Sequence, residues 1–240
     1  MQKNFLLPSL YFVVQSIFMN EQERAEEHLR TIRRLMERAT IYRAISAPTA
    51  LVGGLLSLVA SGIYLALWNS NPPIVPATFP ISLFVTLWLL VLIITASANT
   101  LFIVLGARKR NEPVFSASMK AALLALAPAF IMGAAITSVF ARRHLEPDVD
   151  LIISIVWAGF YGIGLLATSH FAPRSLMLLG WAFFLFSILA FLFFSSATFV
   201  DLPSDREVLV SAFFMALTFG LFHLIYAACA WPRKGAAPEL

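Results

Sequence analysis

The residues able to do chemistry in this chain are few, and they stand in apolar surroundings. His170, in the run Ala167-Thr168-Ser169-His170, and His223 each lie towards one end of a long hydrophobic segment. Two histidines in the same half of a membrane can ligate a b-type haem axially or contact a quinone. Counting helical rise from the segment ends separates them by about 8–12 Å in depth, a poor fit to one shared haem. The alternatives are headgroup contact or capping for His170 and a helix-to-helix hydrogen bond for His223. A second constellation is the polar run Thr95-Ala96-Ser97-Ala98-Asn99-Thr100. Ser97, Asn99 and Thr100, joined by Thr137, would make a solute-binding patch between the first three hydrophobic segments. The alternative is hydrogen bonding between helices, because an unpaired amide in hydrocarbon is costly. Ser57, Ser61, Thr137 and Ser138 are then the hydroxyls expected to serve Asn99. Tyr161 and Tyr226 would contribute similarly from the other half.

Other chemistries lack their residues. There is no H-E-x-x-H, G-x-S-x-G or G-x-x-x-x-G-K-[ST] motif and no acid pair within a hydrophobic segment. No catalytic residue and no metal ligand is therefore assigned, and no cofactor is predicted apart from the haem alternative. The expectation is a protein that is not an enzyme. No Asp, Glu, Lys or Arg stands near the middle of a hydrophobic segment, where proton pumps and voltage sensors place such groups. Hydroxyl and carbonyl sites stay open to sodium or a neutral solute. No lysine lies at depth for a retinal linkage. Cys229 is the single cysteine, so no intrachain disulfide can form.

The elements that must position these residues follow from hydropathy. Of 240 residues, 60% are hydrophobic and only 12% charged, and the mean hydropathy is +0.83. A soluble domain would be about a quarter charged. Six segments are long and apolar enough to span a bilayer: 47–68, 80–105, 116–141, 149–171, 174–200 and 207–231. The fold class is all-α, a polytopic transmembrane bundle of six spans. In the third, Ala121, Ala125, Ala129, Gly133, Thr137 and Ala141 recur every fourth residue, a small-residue stripe that lets helix backbones approach closely. Pro128 is expected to kink that helix. Arg142, Arg143, His144, Glu146, Asp148 and Asp150 are read as a mixed-charge loop, and 201–207 as an acidic turn.

The bundle is preceded by different material. Residues 1–19 are apolar but too short to span, and are expected to lie at the interface or to precede the true start at Met19. Residues 20–45 form an amphipathic helix of about 24 residues, roughly 36 Å long. Glutamates fill its first turns and arginines its later ones, matching the helix dipole. Glu26 with Arg30, and Arg33 with Glu37, stand four apart and can pair. The run Glu27-His28-Leu29-Arg30-Thr31-Ile32-Arg33-Arg34-Leu35-Met36-Glu37-Arg38, then Ala44-Ile45-Ser46-Ala47-Pro48, resembles the start of uncharacterised bacterial six-span inner-membrane proteins with a charged "LRxIRxLMER" helix. Residues 165–180 (LLATSHFAPRSLMLLG) resemble the same group. The resemblance implies a bacterial inner membrane and carries no activity.

With both termini inside, 14 of the 17 Lys and Arg fall on the inner side, leaving Arg142, Arg143 and Arg206 outside, in keeping with the positive-inside rule. Residues 232–240 are then a cytoplasmic tail. The first reading is a membrane protein that docks or regulates through residues 20–45, binding a cytoplasmic partner or a second copy. The second is a small-molecule transporter or channel. The third is a haem or quinone protein. The lipid bilayer is the expected partner, and nucleic acid is not, since acids nearly balance bases along 20–45.

Overall fold

The computed structural model describes residues 25–32, 47–70, 83–111, 114, 117–141, 148–169, 172–195 and 204–231, and all regular structure among them is helical. The predicted segment 1–19, residues 33–45, His170, the Arg142–Arg143 pair and the tail lie outside the described residues. Helix α1 (residues 25–32) is exposed on every side, and Glu26 and Arg30 pair along it at 3.6 Å. Six spans follow: α2 (Ala47–Trp68), α3 (Leu83–Arg110), α4 (Ala117–Ala141), α5 (Asp148–Ala167), α6 (Arg174–Phe194), and a sixth made of α7 (Ser204–Met215), a π-helical segment (Ala216–Phe222) and α8 (His223–Ala230). All six are long and apolar enough to cross a membrane.

The protein is an integral-membrane helical bundle, and its surface agrees. Leu90, Ile93, Leu124, Leu178, Leu189 and Phe213 are all at least half exposed, an apolar surface that suits lipid rather than water. The core holds Tyr64, Phe84, Ile153, Leu176, Phe183 and Met215, each 2% exposed or less.

Helix ends depart from the expected boundaries for local reasons. No glycine or proline interrupts 106–110 after Gly106, so α3 carries Arg108 and Lys109 as helix rather than loop. It stops at Asn111, which takes a left-handed conformation, φ 53°, the usual alternative to glycine after a helix. Span four ends at Ala167, where Thr168 turns its hydroxyl back onto the Leu165 carbonyl. Span six begins at Ser204, before the expected acidic turn has finished. Asp150 likewise belongs to a helix, α5, and not to a loop.

Two helices are central. α2 packs along α3 and along span six; α5 packs along α6, along α4 and against α7. α3 and α4, although consecutive, share no extensive interface among the described residues. Glycines set the close crossings. A Cβ on Gly53 would come within 3.0 Å of Thr95 on α3, and one on Gly54 within 3.0 Å of the Gly220 carbonyl in span six. On α5, a Cβ on Gly162 would meet the Phe184 nitrogen of α6 at 2.7 Å, and one on Gly164 would meet Leu126 of α4 at 3.1 Å. The small-residue stripe of α4 serves this last contact, with Ala129 buried against α5.

Candidate functional site: a buried polar file along the second helix

Thr49, Gly53, Ser57, Ser61 and Tyr64 recur every three or four residues, so α2 presents them on one face. All five are buried. Thr49 to Tyr64 spans about 22 Å of helix, most of the roughly 30 Å thickness of a hydrocarbon core. The facing residues come from α3, which runs antiparallel in constant register. Thr49 Oγ1 donates to Asn99 Oδ1 at 3.1 Å. Gly53 lies against Thr95. The rings of Tyr64 and Phe84 meet edge to face, 5.3 Å between centroids. That register sets Ser61 within one residue of Trp88.

The two ends of the file are closed by hydrogen bonds. At one end is the Thr49–Asn99 pair. At the other, Tyr64 Oη donates to Asp150 Oδ2 of α5 at 2.6 Å, and the buried Ser211 of span six donates to the Val208 carbonyl at 3.0 Å. Ser154, one turn on from Asp150, donates to the Asp150 carbonyl at 2.6 Å. Glu207, one turn before Ser211, is buried on the same side of span six. Between the ends, Ser57 Oγ is satisfied by the Gly53 carbonyl at 2.8 Å. Ser61 Oγ, Trp88 Nε1 and Thr95 Oγ1 are buried and have no hydrogen-bond partner. Native bundles seldom leave such groups dry, because each unpaired buried donor costs about 1–3 kcal/mol.

A second polar pair joins α5 to span six. Tyr161 Oη and His223 Nε2 are 2.8 Å apart, inside a cluster of rings from Phe183, Phe219 and Phe222. His223 follows directly on the π-helical segment. Thr218 there donates its hydroxyl to the Phe214 carbonyl at 2.8 Å, a side-chain bond that competes with the helix's own ladder. Gly220 lets α2 press in, since a Cβ on it would meet Leu58 at 2.7 Å. Widened turns of this kind concentrate at functional sites. Ring contacts link the two polar regions: Phe84 to Trp88 at 6.1 Å, Trp88 to Phe219 at 6.3 Å, and Phe219 stacked on His223 at 6.0 Å.

The sequence-predicted residues are distributed differently from the expectation. Asn99 is at the α2–α3 seam, but its partner is Thr49, not Ser57, Ser61, Thr137 or Ser138. Thr137 is on α4, where it accepts a hydrogen bond from Trp157 Nε1 of α5 at 2.7 Å, away from Asn99. Ser97 is exposed, and Thr100 is exposed with its hydroxyl on the Ala96 carbonyl of its own helix. His223 has Nε2 engaged by Tyr161, and Nδ1 is buried without a well-aligned partner. An iron on Nε2 would have to displace Tyr161.

Sequence reasoning missed Tyr64, Asp150, Trp88 and Thr49. The spacing Thr49-Gly53-Ser57-Ser61-Tyr64 was the available signal, and it reads equally as a packing face until the unpaired atoms are seen. Among the described residues no group of three His, Cys, Asp or Glu side chains gathers as a metal site requires. Comparison with protein-family models, with curated proteins and with solved structures gives no match.

Proposed function

We propose that this chain is a membrane transport protein, a carrier or channel for a small solute, whose route follows the polar face of α2 against α3. The carrying observation is the run of unpaired buried atoms, Ser61 Oγ, Trp88 Nε1 and Thr95 Oγ1, between two hydrogen-bonded ends. Paired ends with unpaired middle positions are what a solute pathway needs: groups with hydrogen-bonding capacity to spare, sealed off when nothing passes. The packing supports the same reading. Each half's first helix packs on its own second helix and on the third span of the other half. Three spans per half orient the halves oppositely, the layout of inverted-repeat transporters. The protein is set in a bacterial inner membrane with both termini cytoplasmic, a placement supported by the distribution of Lys and Arg.

The test is uptake by purified protein in proteoliposomes of a labelled panel of small ions, amines, amino acids and neutral polar solutes. Flux above empty vesicles that Asn99→Leu abolishes in a folded, monodisperse protein supports the route. Flux that Asn99→Leu leaves intact defeats it, as does silence of this panel together with unraised water and ammonia permeability.

A second reading rests on α1. Leu29 and Ile32 are 65% and 51% exposed on it, an apolar edge left uncovered among the described residues that suits docking to a partner or to a second copy. Loss of 20–43 without change in oligomeric state or partner binding counts against it.

A further inference from the structure

The chemistry of the file says more than that something passes; this step rests on the transport reading. We infer that the transported species is an uncharged molecule of about the size of water or ammonia, able both to donate and to accept hydrogen bonds. Three features of the file lead there.

The first is charge. From Thr49 to Ser61 the face of α2 presents hydroxyls and a glycine, and α3 answers with Asn99, Thr95 and Trp88. No Asp, Glu, Lys or Arg lies along that stretch. Asp150 and the buried Glu207 are confined to one end, where Asp150 holds the Tyr64 hydroxyl. An ion entering the seam would leave water for a place with no counter-charge and no ring of carbonyls to replace its hydration shell.

The second is the kind of atom left unpaired. Trp88 Nε1 only donates, so it needs an acceptor; Ser61 and Thr95 hydroxyls donate or accept. A molecule handed from one to the next must therefore accept, and only one that also donates can use the lone pairs of the two hydroxyls as well.

The third is spacing. Successive levels on α2, Ser61 to Ser57 to Gly53 to Thr49, are four residues and so about 6 Å apart. Two O–H···O bonds of about 2.7–2.8 Å laid end to end reach about 5.5 Å. The Ser57 hydroxyl already bridges to the Gly53 carbonyl at 2.8 Å, so the open gap is the one between Ser61 and Ser57, which one heavy atom closes; a solute of several heavy atoms would have to part α2 from α3. The rings of Phe84, Trp88 and Phe219, in contact at 6.1 and 6.3 Å, fill the rest of that level and reinforce the size limit.

The experiment is stopped-flow permeability of proteoliposomes. Water is followed by light scattering after a sucrose step, ammonia by an entrapped pH dye after an ammonium chloride step, and potassium and chloride by ion-selective electrodes. Wild type is expected to raise water or ammonia permeability several-fold over empty vesicles, and the two arms tell which. Ser61→Val, which replaces the hydroxyl by methyls, should return it to the empty-vesicle value. Trp88→Phe keeps a ring against Phe84 and Phe219 while removing the donor, and should lower it too; normal helicity and a monodisperse elution peak show that either variant is folded. Potassium or chloride flux, or neutral flux untouched by both folded variants, overturns the inference. Uptake of a larger panel solute, blocked by Asn99→Leu, overturns the inference and leaves the transport reading standing. Silence across both experiments removes the two together.

Discussion

Replacing Gly162 by alanine should loosen the tightest crossing in the bundle, and the structure sets the size of the effect. A Cβ at Gly162 would stand 2.7 Å from the Phe184 nitrogen, 2.9 Å from the Gly180 carbonyl and 3.1 Å from the Phe184 Cα, where ordinary contact begins at 3.4 Å. All three atoms are α6 backbone, so no side chain can swing aside. α5 and α6 must separate by about 0.7 Å, and overpacking of that kind costs about 1–3 kcal/mol. Alanine also gains about 0.8–1.0 kcal/mol of helix propensity over glycine, so the net loss is the smaller of what these leave, from near zero to about 2 kcal/mol. The internal standard is Gly133→Ala on α4, where a Cβ meets nothing within 4 Å and only the propensity gain applies. The two alanines should therefore differ by about 1–3 kcal/mol, whatever the uncertainty in propensity. Unfolding in bicelles by steric trapping measures that difference. Because Tyr161 adjoins Gly162 and meets Phe183 at 4.8 Å, the same variant should disturb the Tyr161–His223 pair. Equal stability of Gly162→Ala and Gly133→Ala would refute the close-approach reasoning.

Other perturbations test other joints. Gly159→Ala places a Cβ 2.8 Å from Ser187 Oγ but 3.6 Å from Ser187 Cβ, so Ser187→Ala should rescue it. A double-mutant cycle by the same unfolding assay should show coupling of about 0.5–3 kcal/mol, and strict additivity would count against the contact. Thr137→Val removes the acceptor of Trp157 Nε1. The expected cost is about 0.6–1.7 kcal/mol, typical of an interhelical hydrogen bond in lipid, with a shift in the tryptophan emission that Trp157→Phe abolishes. Tyr161→Phe leaves the ring cluster in place and frees His223 Nε2; the imidazole's NMR signals should move while helicity does not. Replacing Leu29 and Ile32 together by serine should leave unfolding of the bundle unchanged, since both side chains are exposed.

The six spans were legible because each needs only a long apolar run, and hydropathy reports that directly. The site was legible in part. Asn99 stood out because an amide in hydrocarbon demands a partner, yet sequence names no partner: that depends on which helix α3 lies against. Thr49 could not be chosen over Ser57 or Ser61 before the antiparallel register of α2 and α3 was known. Joining Thr137 to Asn99 requires spans one, two and three to cluster, whereas α4 lies against α5, and Thr137 serves Trp157. From sequence, Asp150 and Glu207 read as residues of a loop and a turn, because charge near a span end ordinarily marks water. Both stand one turn or less inside helices that begin earlier, and Glu207 is only 5% exposed. The π-helical segment had no sequence signature at all, since Thr218 and Gly220 are unremarkable until α2 is pressed against them.

Residue-by-residue comparison of 47–141 with 149–231 shows no convincing match, while the packing of the two stretches corresponds closely. α2 and α5 each carry a polar face, Thr49-Ser57-Ser61-Tyr64 on one and Asp150-Ser154-Trp157-Tyr161 on the other. Each has one glycine that admits its following helix, Gly53 for α3 and Gly162 for α6. Each has another that admits the remote third span, Gly54 for span six and Gly164 for α4. Close crossings in lipid require a missing side chain at the crossing and tolerate almost any apolar residue elsewhere. Such constraints conserve where a glycine falls and not what surrounds it, so equivalence of packing can outlast similarity of sequence. The Tyr64–Asp150 hydrogen bond joins these two central helices directly. Any motion of one half against the other that opened this end of the polar file would have to break it.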